Sequence, residues 1–181
     1  MIFSEGSDVK KFIAIILVVS STAFTTPALA QLRDFSGKPH NLSEYTAGKD
    51  KWTVVMLWAS DCHACNAEAK QYVQFHQENK NKNIRMLGIS MDGEKKIADA
   101  RAFIKRHAVT YPNLIGEFDE VANMYESLTG GTWLGTPTFL VYDPAGKLQA
   151  AQPGAVPVDI IKEFIQSRTN PSLENTNHTE N

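Results

Sequence analysis

The sequence has only two cysteines among 181 residues, so none is left over to staple a distant loop. That excludes the disulfide framework of small secreted domains, and it excludes a four-cysteine zinc site. Excess charge of one sign is also missing: 18 Lys and Arg stand against 20 Asp and Glu, a net charge of −2. Such a balance carries no electrostatic footprint for nucleic acid. Gly-rich phosphate loops and internal repeats are absent. So is an unbroken apolar run of the ~20 residues that a membrane-spanning helix requires. What remains is 43% hydrophobic and 21% charged, the composition of one soluble globular domain.

The N-terminus follows separate rules. Lys10 and Lys11 precede an apolar run, Phe12 to Val19, and Thr25-Thr26-Pro27-Ala28-Leu29-Ala30 ends with small residues at Ala28 and Ala30. A charged segment, a short apolar segment and an A-x-A site mark residues 1–30 as a signal peptide cut after Ala30. The alternative is an uncleaved anchor, because Glu5 and Asp8 make the leading segment long and acidic. Either way the domain lies outside the cytoplasm, in the periplasm.

Residues 31–169 carry the periodic signals of a domain, and residues 170–181 are a polar, patternless stretch expected to be a disordered tail. Leu32 to Asn41 reads as a short hairpin around Ser36-Gly37-Lys38-Pro39, and Leu42 to Tyr45 as one helical turn. Trp52 to Trp58 is a buried central strand. A helix follows over Cys62 to Asn79, with Ala64, Ala67, Tyr72, Val73 and Phe75 inward. Ile84 to Ser90 is a second buried strand, and Glu94 to His107 a helix burying Ile97, Ala100, Ala102, Phe103 and Ile104. Phe118 to Tyr125 and Val158 to Ser167 are further helices, and Thr138 to Tyr142 and Lys147 to Ala151 are strands joined by Asp143-Pro144-Ala145-Gly146. The order implies an α/β fold: a mixed central sheet flanked by helices, with an N-terminal hairpin extension. It is the order of thioredoxin.

Both cysteines fall in one C-x-x-C, between a buried strand and a helix. A sulfur at that junction meets unpaired N–H groups and the positive end of the helix dipole, which favour thiolate, the nucleophilic form. Cys62 is therefore expected to attack, and Cys65, one turn on, to resolve the mixed disulfide. Such spacing also occurs in metal sites, but the strand before it and Trp58 four residues upstream favour redox chemistry.

The stretch Trp58-Ala59-Ser60-Asp61-Cys62-His63-Ala64-Cys65-Asn66-Ala67-Glu68 resembles the active site of the exported TlpA/ResA-type thioredoxin-like family. The Gly37-Lys38 turn and Leu42-Ser43 element continue the resemblance. So do Leu87-Gly88-Ile89-Ser90-Met91-Asp92, Tyr111-Pro112-Asn113-Leu114 and Gly135-Thr136-Pro137-Thr138-Phe139-Leu140-Val141-Tyr142-Asp143. It implies a thiol-disulfide oxidoreductase whose cofactor is the Cys62–Cys65 disulfide itself. Protein thiols or disulfides are the implied substrates, a membrane protein the electron donor or acceptor, and reduction during cytochrome c maturation a typical task. A monomer is expected. Pro137 matches the family's cis-proline, against the alternative of an ordinary trans turn, and would leave the Thr136 backbone free to pair with an extended substrate. Glu68 matches a carboxylate that would move the resolving thiol's proton; a solvated helix glutamate is the plain alternative.

Departures from the family sit beside the cysteines. Asp61 replaces a usual Trp and disfavours a neighbouring anion while suiting a helix N-cap. His63, as imidazolium, would stabilise the Cys62 thiolate, and an ion pair with Asp61 would blunt that effect. Lys70 stands where many relatives have a kinking proline. Trp133, in the Gly-rich lead-in to Pro137, would either dock a partner or fold back over the core. His40, His76, His107 and His178 lack mutual spacing and are expected at the surface. A competing reading makes the fold a copper carrier using the same cysteines. A thiol peroxidase is excluded by the absence of a Thr/Ser-Cys peroxide motif.

Overall fold

The computed structural model describes residues 31–48 and 50–170. The expected signal peptide lies outside the described residues, as does the expected tail beyond Asn170. Among the described residues, no helix is long and apolar enough to cross a membrane.

Seven strands form one sheet: β1 (Leu32–Asp34), β2 (Pro39–His40), β3 (Trp52–Trp58), β4 (Ile84–Ser90), β5 (Asn113–Ile115), β6 (Thr138–Tyr142) and β7 (Leu148–Pro153), in the order β2-β1-β5-β4-β3-β6-β7. β3 and β4 are parallel from Trp52↔Ile84 to Trp58↔Ser90, and β5 continues parallel beside β4. β6 lies antiparallel on the other side of β3, and β7 antiparallel to it. All seven residues of β3 are buried, as a strand covered on both faces demands. The N-terminal hairpin is turned by Asp34, whose carboxylate accepts from Ser36 N–H, Ser36 Oγ and Lys38 N–H. Gly37 supplies the positive φ of 92° that this turn needs.

Helices α1 (Ser43–Thr46), α2 (His63–Asn79), α3 (Ile97–Arg106), α4 (Phe118–Thr129) and α5 (Val158–Thr169) cover the sheet. On one face Val54, Met56, Trp58, Phe139 and Val141 pack with Tyr72, Phe75, Phe103, Ile161 and Ile165. On the other, Val55, Leu57, Leu87, Ile89 and Leu140 pack with Val121 and Tyr125. The alternation along each strand thus divides the core into two layers.

The expected elements are present with several corrections. Glu94–Lys96 forms a 3₁₀ turn before α3 begins, rather than the first turn of one long helix. α4 runs past Tyr125 to Thr129 and stops where Gly130 takes φ 70°, a left-handed C-cap. Ala67 and Ala102 are exposed, because short side chains at the flank of a helix face mark its inner stripe poorly. Ala69, His76 and Asn79 complete the inner face of α2 instead. His76 is buried, His40 sits between Asp34 and Glu44, and His107 contacts Asn66, so none of the three is a free surface group. His178 lies outside the described residues.

Candidate active site

The site grows from the C-terminal ends of β3 and β4. Trp58, the last residue of β3, is buried: its Nε1 donates to Asn113 Oδ1 at 3.0 Å and its ring stacks on Phe103 at 4.3 Å. Trp58 is thus the floor beneath the loop. Gly88 on the neighbouring strand makes room, since a Cβ there collides with the Asn113 side chain and Trp58 Nε1.

Beyond Trp58 the chain is pinned by Asp92. Its carboxylate accepts from Ser60 N–H at 3.0 Å, Ser60 Oγ at 2.7 Å and Ser90 Oγ at 2.6 Å. Cys62 then takes the extended conformation of an N-cap, with φ −69° and ψ 115°. Its Sγ accepts from Cys65 N–H at 3.0 Å, so the sulfur itself fills the capping position at the start of α2. Cys62 and Cys65 form a disulfide with a Cα–Cα distance of 5.2 Å. Cys65 is wholly buried and Cys62 partly exposed.

A second clamp comes from Asn66. Its Nδ2 donates to the carbonyls of Ser60 and Cys62, at 3.0 and 2.8 Å. Its Oδ1 faces Arg106 Nη2 at 2.7 Å and His107 Nε2 at 2.9 Å. The end of α3 is thereby tied to the cysteine turn. Asn66 and Asp92 were legible as residues of the recurring motifs, but nothing in their spacing disclosed that they face inward onto backbone groups.

Asp61 pairs with Lys96 at 2.9 Å, and that ammonium holds its carboxyl below the ordinary carboxylate range. The anticipated Asp61–His63 ion pair is thus replaced, because Lys96 reaches across from the 3₁₀ turn. His63 is exposed and hydrogen-bonds no described residue. Glu68 Oε2 accepts from Gln71 Nε2 and from the Tyr72 hydroxyl, each at 2.8 Å. No hydrogen bond among the described residues joins Glu68 to either sulfur.

The Thr136–Pro137 peptide bond is cis, and Pro137 is buried with its carbonyl accepting from Gly154 N–H at 2.8 Å. No described group hydrogen-bonds to the Thr136 backbone. Thr136, Gly135, Asp61 and Lys96 line a groove of ≈ 630 Å³. Phe118 and Leu134 also line it, 54% and 75% exposed. Sequence reasoning missed both: Phe118 has the spacing of a core residue in α4, and Leu134 is one apolar residue among glycines. Trp133 folds back, edge-on to Tyr125 at 5.3 Å, with its backbone N–H donating to Glu126 Oε1 at 2.8 Å. Its outer edge still reaches the groove. Among the described residues, no group of three or more His, Cys, Asp or Glu side chains is placed to hold a metal ion.

Comparison with known proteins places this geometry. The chain is 26% identical over 136 residues to the thiol-disulfide oxidoreductase ResA of Geobacillus thermodenitrificans, covering 75% of this chain and 72% of that one. It is 19% identical over 141 residues to the sporulation thiol-disulfide oxidoreductase A of Bacillus subtilis, covering 77% and 79%. Among solved structures, a thioredoxin-family thiol:disulfide interchange protein from Chlorobium tepidum superposes with a TM-score of 0.62 at 20% identity, covering 78% of this chain and 94% of that one. The resemblance to ResA-type proteins and the thioredoxin-like fold both hold. With a family model matching residues 8–151, this chain belongs to the AhpC/TSA family.

Proposed function

We propose that the Cys62–Cys65 pair of this thiol-disulfide oxidoreductase reduces disulfides of exported proteins in the periplasm, in a role like cytochrome c maturation. The observation that carries the reading is the asymmetry of the pair: a partly exposed sulfur caps α2 while its partner is wholly buried one turn on. In the dithiol form, the N–H groups and dipole at the helix start favour a Cys62 thiolate. That thiolate attacks one sulfur of a substrate disulfide, forming a mixed disulfide and releasing the other substrate sulfur as a thiolate that takes up a proton. Cys65, deprotonated, then attacks Cys62 Sγ; the mixed disulfide breaks and the second substrate thiol leaves. Two electrons pass to the substrate, and the protein is left as the Cys62–Cys65 disulfide. A membrane thiol donor restores the dithiol.

The groove lined by Asp61 and Thr136 suits an extended substrate segment, whose main chain would pair with the free Thr136 backbone. Export is supported by the sequence of residues 1–30 and by the chemistry, since lasting protein disulfides belong to oxidising compartments. The test is the reduction potential of the pair, titrated against glutathione and dithiothreitol buffers. A value near about −270 mV is expected for a reductase, and one near about −120 mV would make the protein an oxidant.

A further inference from the structure

At the opposite end of the sheet from the cysteines, where β3 and β4 begin, lies a second cavity of ≈ 390 Å³. Lys51, His76, Lys80 and Arg85 line it together with Thr53 and Tyr45, and none of its lining residues is acidic. Arg85 Nε donates to Thr53 Oγ1 at 2.7 Å, but Arg85 Nη2 is buried and without an acceptor among the described residues. No described carboxylate forms an ion pair with this guanidinium. Partial burial lowers its pKa with no opposing charge to raise it. His76, 9% exposed, likewise leaves Nδ1 buried and unpartnered. Lys51 Nζ donates to the Lys80 main-chain carbonyl at 3.0 Å, which holds its ammonium at the end of α2, and the exposed Lys80 also lines the cavity.

A half-buried guanidinium without a counter-charge is costly to keep, and the cost is removed when an anion supplies the missing acceptors. Guanidinium from β4, imidazole from α2 and two ammonium groups from the residues just before β3 and just after α2 offer more donors than the two oxygens of a carboxylate can accept. A tetrahedral oxyanion has the oxygens to meet them, and arginine's planar fork matches two of these at once. We infer that this cavity binds a small oxyanion of the phosphate or sulfate type, with Arg85 as its principal contact and His76, Lys51 and Lys80 around it. The site is independent of the redox pair and uses none of its residues.

The test is a titration of the full chain with sodium phosphate, ionic strength held constant with sodium chloride, followed by NMR at Arg85 Nε–H and the His76 ring. Saturable shifts at both positions are expected, reproduced by sulfate. Arg85→Gln should weaken phosphate binding about tenfold and Lys80→Gln about threefold, while Lys162→Gln on α5 leaves it unchanged. Lys80 is exposed, so its variant carries the test if Arg85→Gln does not fold. Sedimentation with phosphatidylglycerol vesicles separates the sources. Pelleting that free phosphate reverses and Arg85→Gln abolishes assigns the site to a lipid headgroup; phosphate binding without pelleting assigns it to the free anion. Shifts that never saturate, that chloride reproduces, or that persist in both variants overturn the inference.

Discussion

The two cysteines differ first in exposure. Because Cys65 is wholly buried and Cys62 is not, Cys65→Ser should accumulate mixed disulfides with partner proteins through Cys62, and Cys62→Ser should accumulate few. Non-reducing electrophoresis after alkylation reads the difference; equal trapping would reverse the assignment of roles. Lys96 sets a second, smaller effect. It neutralises Asp61, the neighbour of Cys62, so Lys96→Gln should leave an uncompensated carboxylate there, raise the Cys62 thiol pKa and lower the reduction potential. The pair is solvent-exposed, which limits the change to roughly 10 mV and makes it shrink with added salt. An unchanged potential at low salt would show that Asp61 does not reach the thiolate. The cysteines were legible because their spacing and place carry chemistry on their own. Lys96 was not, because a pairing across 35 positions leaves no trace in local pattern.

Among the elements, β4 comes close against the floor of the site. Gly88 faces Trp58 Nε1 and Asn113 with no space for a methyl group. Gly88→Ala should therefore lower unfolding stability by about 1–3 kcal/mol through overpacking, read from urea denaturation at unchanged m-value. A variant as stable as the parent would mean that β5 shifts freely. The Asp92 clamp joins β4 to the cysteine loop in a different way. Asp92→Ala leaves Ser60 N–H without its carboxylate and should cost about 1–3 kcal/mol while slowing exchange with a model disulfide. Retained stability and rate together would show that the loop holds its shape without that carboxylate. Strands β3, β4 and β6 were plain in the sequence, since continuous apolar runs admit few other readings. Helix faces were less so: the inner stripe of α2 includes His76 and Asn79, polar residues that hydropathy assigns to the outside.

At the scale of the whole molecule, stability should depend on pH through His76. Burial holds its imidazole below the ordinary histidine range, whereas the unfolded chain takes up that proton near pH 6.5. Below about that pH the unfolded state binds more protons than the folded one, so stability falls as the solution is acidified until the folded form also protonates. His40, raised by Glu44 and Asp34, acts in the opposite sense. Comparing the parent with His76→Gln in phosphate-free buffer isolates the effect: the variant should show the shallower loss between pH 6.5 and 5, and parallel curves would refute it. Strand order was readable from the succession of elements, but the placing of the hairpin beside β5 was not, because long-range pairing is decided by which edge remains open. The sheet's outer margins carry a consequence of their own. One ends in the two-residue β2 that opens on Pro39, the other in a β7 that closes on Pro153. A proline at each margin, and at β2 brevity as well, blunts them as templates for another chain. The seven-stranded sheet is thereby kept from growing fibres with its own kind.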